Sequence, residues 1–264
     1  MQTALASSMM VVAALGAALS VMSLPAPGQW ITYPSKATPR GADGKVNLKA
    51  PAPRLADGKP DFAGVWQVDS PRHFSNIAAD YKPGEEPLQP WAKQLLKERR
   101  DTLGKGDPNA RCIPVGIPKV IPAPNTPFRI VQTPDRTIIL YERNTMFRQI
   151  FTDGRPLPVD PQPTFMGYSI GKWEGDTFVA ETSGFNDISW LDDDGHPHST
   201  AMHVTERMRR PDFGTLEVVI TIADPKTLTA PLIARIPYHV LPDGELMEYF
   251  CEENEKDAPH LFGK

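Results

Sequence analysis

Residues 195–211, GHPHSTAMHVTERMRRP, alternate along the chain with the period of a β-strand. That alternation places His198, Thr200, Met202, Val204, Glu206 and Met208 on one face, and His203, Thr205, Arg207 and Arg209 on the other. The first face is the more apolar and is predicted to point into a core. Glu206 then lies between Val204 and Met208, and an acid on an apolar face must be paired, protonated or functional.

The same short-period pattern recurs through most of the chain. FAGVWQV (62–68) reads as a first strand carrying Trp66. From Phe128 onward FRIVQ, TIILYER, MFRQIF, MGYSIGKW and TFVAET follow one another, punctuated by Asp153-Gly154 and by Glu174-Gly175-Asp176. After a loop over 185–196 and the strand described above come TLEVVITI, LIARIPYHV and ELMEYFC, the last two joined through Pro242-Asp243-Gly244. About nine such strands predict an antiparallel meander that hides its edges, as a lipocalin-like barrel or a β-sandwich. Leu216, Val218, Ile220 and Ile222, with Leu232, Ala234, Ile236 and Tyr238, should line the interior beside Glu206. One flanking helix is predicted between Pro90 and Thr102, with Trp91, Leu95 and Leu96 on its packed side.

The N-terminal pattern is different. Residues 3–24 carry no charge, and a helix of that length spans about 33 Å, enough for a bilayer core. No Lys or Arg precedes the run, so the positive n-region of a cleaved signal is missing, and a retained transmembrane helix competes with a signal segment. Ala13, Gly16, Ala17 and Ser20 form a small-residue face suited to close helix packing. Trp30 and Tyr33 are placed as interfacial anchors. Lys36, Arg40, Lys45 and Lys49 follow the span, which taken literally would keep the bulk of the chain cytoplasmic, but long domains translocate largely regardless of charge. Residues 25–60 read as an extended Pro-rich tether or strap, and residues 61–264 as a β-rich periplasmic domain.

Composition narrows the picture. With 28 basic and 32 acidic residues the net charge is −4, which offers no electrostatic footprint for nucleic acid. The 29 prolines cluster in connecting stretches and argue against a helical or βαβ fold. Cys112 and Cys251 have no metal-ligand spacing. In an exported chain they read as one disulfide, with two free buried thiols as the alternative.

The segments DGRPLP (153–158), MGYSIGKWEGDTFVAETSGFND (166–187), WLDDDGHPHS (190–199), TERMRRPDFGTLEVVITIADP (205–225) and CEEN (251–254) resemble a family of secreted bacterial proteins of no established activity. The resemblance covers roughly residues 55–264. It implies export and a β-rich domain, and it brings no catalytic residues.

Two constellations could carry chemistry. His196, His198, His203 and Asp194 could supply mixed nitrogen and oxygen ligands to a metal; the other reading makes the aspartates a solvated loop and the histidines strand-end caps. Glu206, His198, Asp187 and Glu181 could meet at a barrel mouth as a general acid and base pair acting on a small apolar substrate. Against this, Glu206 could simply pair with an arginine such as Arg148, which shares a face with Met146 and Ile150. The chain lacks G-x-S-x-G, zinc-protease, phosphate-loop and dinucleotide motifs, and no cofactor is implied.

Two functions follow as expectations. The first is a membrane-anchored accessory subunit on the periplasmic side of a larger membrane complex, of the photosynthetic reaction-centre or respiratory kind. Its partners would be membrane subunits and the lipid bilayer. The second is an exported hydrolase, lyase or isomerase, or a carrier of a small apolar ligand, released to the periplasm if the N-terminal segment is cleaved.

Overall fold

The computed structural model describes residues 34–251. The expected span and its residues Ala13, Gly16, Ala17, Ser20, Trp30 and Tyr33 lie outside them. Among the described residues no helix is long and apolar enough to cross a membrane.

Nine strands form one closed barrel: β1 (Gly64–Val68), β2 (Phe128–Thr133), β3 (Arg136–Tyr141), β4 (Phe147–Phe151), β5 (Tyr168–Glu174), β6 (Thr177–Ser183), β7 (His203–Arg209), β8 (Thr215–Ala223) and β9 (Leu232–Val240). Each pairs with its neighbours in the chain, and β9 returns to β1, so the barrel rather than the sandwich is realised. The meander departs from strict antiparallel pairing at one place. β4 and β5 run parallel through Ile150↔Ser169 and Phe151↔Ile170. An odd number of strands in consecutive order cannot alternate direction all the way round a closed ring, so at least one pair must be parallel. The long connection between β4 and β5 carries the chain back to make that pairing possible.

Alternation sets the interior as the sequence predicts. Val204, Glu206 and Met208 of β7 are buried, with Leu216, Val218, Ile220 and Ile222 of β8 and Leu232, Ala234, Ile236 and Tyr238 of β9. One inward row runs Gly171, Ala180, Glu206, Ile220, Ala234 across five strands. Small residues in that row make room for large neighbours, since a Cβ added to Gly171 would fall 2.5 Å from the Phe178 ring.

Three expectations are corrected. The strand predicted over 195–211 occupies only His203–Arg209, because 195–202 is an irregular loop in which the backbone N–H groups of Gly195, His196 and Ser199 go to the carboxylates of Asp192 and Asp224. ELMEYFC is not a strand: β9 already has β8 and β1 on its two edges, so no edge is left for it to extend. On the outer helix α2 (Pro90–Asp101, after the short α1, Arg72–Ser75), Ala92 and Leu96 are buried while Trp91 turns outward and donates its indole N–H to the Lys226 carbonyl at 3.0 Å.

The proline-rich segments pack on their own barrel. Residues 34–60 belong to the same compact unit as the barrel. They are pinned by Arg40–Asp243, by Lys49–Asp212 at 2.8 Å and by Arg54–Asp176 at 2.8 Å. Residues 115–123 are buried throughout and share one core with the strands. Tyr238 donates to the Ile121 carbonyl at 2.9 Å, and Ile117 N–H donates to the Phe165 carbonyl at 3.1 Å. Pro118 and Pro122 suit a buried irregular segment, because each removes a backbone N–H that would otherwise need a partner. Cys112 and Cys251 are bonded, with Cα atoms 5.5 Å apart, tying this region to the end of the described chain.

Candidate functional site

Glu206 points into the barrel and is almost wholly buried. Arg148, inward on β4, reaches across the interior and donates from Nη2 to Glu206 Oε2. The same nitrogen donates to Thr182 Oγ1 at 2.8 Å, and Nε donates to Ser169 Oγ at 3.0 Å. Ser169 and Thr182 are themselves 3.0 Å apart, so both hydroxyls belong to the network. Burial opposes the guanidinium charge, but the Glu206 carboxylate and the neighbouring Tyr141 together outweigh it and hold Arg148 above the ordinary arginine value. Burial likewise pushes the Tyr141 and Tyr238 hydroxyls well above the usual tyrosine range. The site is an ionised pair set in hydroxyls and aromatic rings, and Arg148 Nη1 is left without a hydrogen-bond partner.

The other members of the proposed acid–base group lie elsewhere. Glu181 follows the inward Ala180 and faces outward, 3.6 Å from Lys172. Asp187 is exposed in the loop after β6. His198 is buried, with Nε2 at 3.2 Å from Ser189 Oγ and Nδ1 at 3.5 Å from the Ser199 carbonyl, and burial holds its pKa below the usual histidine value. Strand parity separates Glu181 from Glu206, and the loop folds His198 away from both. The serine–histidine contact has no carboxylate on its second nitrogen, so it lacks the orienting third group of a nucleophile triad.

The metal candidates are dispersed too. His196 is buried, its Nδ1 2.5 Å from Asp192 Oδ2 but off hydrogen-bonding direction. Asp194 pairs with Arg100 at 2.7 Å, and His203 sits on the outward face of β7. Among the described residues no group of three or more His, Cys, Asp or Glu side chains could hold a metal ion. What organises this loop is Asp192, which accepts from the N–H groups of Ile77 at 2.6 Å, Gly195 at 2.9 Å and His196 at 3.0 Å.

Two buried cations escaped the sequence reading. Lys119, in the run from Ile117 to Ile121, bridges Asp107 at 3.1 Å and Asp193 at 2.8 Å. A lone lysine inside an apolar run was its signal. Arg210 donates to the carbonyls of Asp61 at 2.6 Å, Ala63 at 3.0 Å and Phe213 at 2.7 Å, and stacks near the Trp66 ring. Burial lowers its pKa to about 10. It lines a groove of about 660 Å³ on the barrel exterior, together with Pro34, Val65, Arg129, Val131 and Leu241. A second groove, of about 450 Å³, lies beside Asp107 and Asp193. Neither is lined by Arg148 or Glu206.

No protein-family model and no curated protein matches the chain. Among solved structures, a point variant of the fluorescent protein UnaG is similar, with 15% identity over 67% of this chain and 94% of that chain and a TM-score of 0.30.

Proposed function

We propose that this chain is a non-catalytic accessory subunit, held at a membrane by residues 3–24, whose barrel stands on the oxidising side and braces a larger assembly. A photosynthetic reaction-centre or respiratory complex is the kind of assembly this reading suits. The observation that carries the proposal is the state of Glu206. The most chemically suggestive residue of the sequence is neutralised by Arg148 inside a packed core and lines neither groove. Releasing it for acid–base work would strand a buried guanidinium, which is unfavourable by several kcal/mol. The bonded Cys112–Cys251 pair supports an oxidising compartment. The uncharged N-terminal run supports the anchor.

Purification from membranes in mild detergent tests this. Co-migration of full-length chain, starting at Met1, with a larger complex supports the reading. Recovery of a truncated, soluble, monomeric form from the periplasm overturns it and returns the exported carrier or enzyme to first place.

A further inference from the structure

The outer face of β2–β3–β4 carries an apolar row that the core does not use. Strand register places Arg129, Leu140 and Phe147 side by side, with Val131 and Ile138 paired one step along. Their in-between neighbours Ile130, Ile139, Tyr141 and Ile150 point inward and are buried, so parity sends this row outward. Phe147 is 62% exposed, Leu140 38% and Val131 37%. Exposed aromatic and aliphatic side chains in contiguous register mark an interaction surface more than isolated ones do.

The neighbourhood of the row says what covers it. Arg129 and Val131 also line the 660 Å³ groove, and so does Pro34, the first described residue after the uncharged N-terminal run. The 9 residues between that run and Pro34, 25–33, reach at most about 30 Å even fully extended. A bilayer entered by residues 3–24 therefore lies within reach of the row. We infer that this face rests on the lipid surface, with Phe147 and Leu140 in the interface. The inference rests on the membrane-anchored reading above. A stable protein interface takes roughly 20–30 residues a side, and this row is far smaller. A shallow lipid contact suits its size, because the tether supplies a high effective concentration and no strong affinity is needed.

Full-length protein carrying an environment-sensitive fluorophore on Phe147→Cys is reconstituted in phosphatidylcholine vesicles with and without doxyl-labelled phosphatidylcholine. A second protein carries the label on Glu217→Cys, on the outer face of β8 across the barrel. Lipid contact predicts a blue shift at position 147 and loss of roughly half its emission to the doxyl lipid, with neither at 217. Extraction of the same vesicles with alkaline carbonate reports separately on the anchor. A retained chain with no quenching at 147 overturns the lipid contact and leaves the anchor standing. Release of the chain overturns the anchor, and release together with no quenching at 147 overturns the lipid contact as well. Shielding of 147 that appears only with co-purified subunits, and without lipid quenching, assigns the face to a protein and also overturns the lipid contact.

Discussion

Arg148 on β4 and Glu206 on β7 meet across the barrel interior although β5 and β6 separate their strands in the sheet. The pair therefore ties two strands that share no backbone hydrogen bonds, and Ser169 and Thr182 on the two intervening strands complete its hydrogen bonds.

Glu206→Gln should lower stability by about 3–5 kcal/mol, because it leaves the Arg148 guanidinium buried without a counter-charge. The double replacement Arg148→Met/Glu206→Leu should recover most of that loss. Urea unfolding of the three proteins checks this, and a single replacement as stable as the parent would show the pair to be irrelevant.

Reduction should destabilise the barrel. The Cys112–Cys251 bond spans 139 positions of sequence, and closing a loop of that size stabilises by about 4–5 kcal/mol on the chain-entropy model, less any strain. Thermal melts of the protein with and without reductant should differ, and the Cys112→Ser/Cys251→Ser protein should match the reduced one. Coincident melts would argue that the bond contributes nothing.

Mild acid should weaken the fold through His73 and His198, which burial holds below the ordinary histidine value of 6.5. The folded state then binds fewer protons than the unfolded chain, so their contribution is complete above pH 6.5 and declines as pH falls below it. The slope is at most about 1.4 kcal/mol per pH unit for each histidine. Urea midpoints at pH 7.5 and 5.5, both above the carboxylate range, check this, and the difference should shrink in the His73→Gln/His198→Gln protein. A midpoint that holds or rises at pH 5.5 contradicts it.

Gly116→Ala should cost about 2 kcal/mol or more. Gly116 has a φ of +68°, where a side chain is strained, and its new Cβ would fall 2.4 Å from the Phe165 carbonyl oxygen. Because Gly116 lies in the buried 115–123 run, the loss should appear in the global unfolding transition. If only local protease sensitivity near residue 116 changes, that run is not part of the cooperative core.

Period-two alternation is a local property, and it was enough to locate eight of the nine strands nearly to their ends and to turn Glu206 inward. It also named Arg148 as one possible partner, since an inward arginine on a neighbouring apolar face is the nearest remedy for a buried acid. What depended on contacts distant in sequence was decided only by the tertiary structure. Closure of nine strands forced a parallel pair, the long connection placed it at β4–β5, and closure left ELMEYFC without an edge. The run 115–123, without strand or helix periodicity because of its prolines, became core because barrel side chains were there to cover it, and Lys119 went in with it to meet Asp107 and Asp193. His198 and Glu206 lie 8 positions apart in the sequence, yet the loop before β7 does not continue the strand's alternation. Asp192 takes the N–H groups of Gly195 and His196 there, Asp224 takes that of Ser199, and His198 lies against Ser189, so the chemistry suggested by the spacing was dispersed by hydrogen bonds that no periodicity encodes.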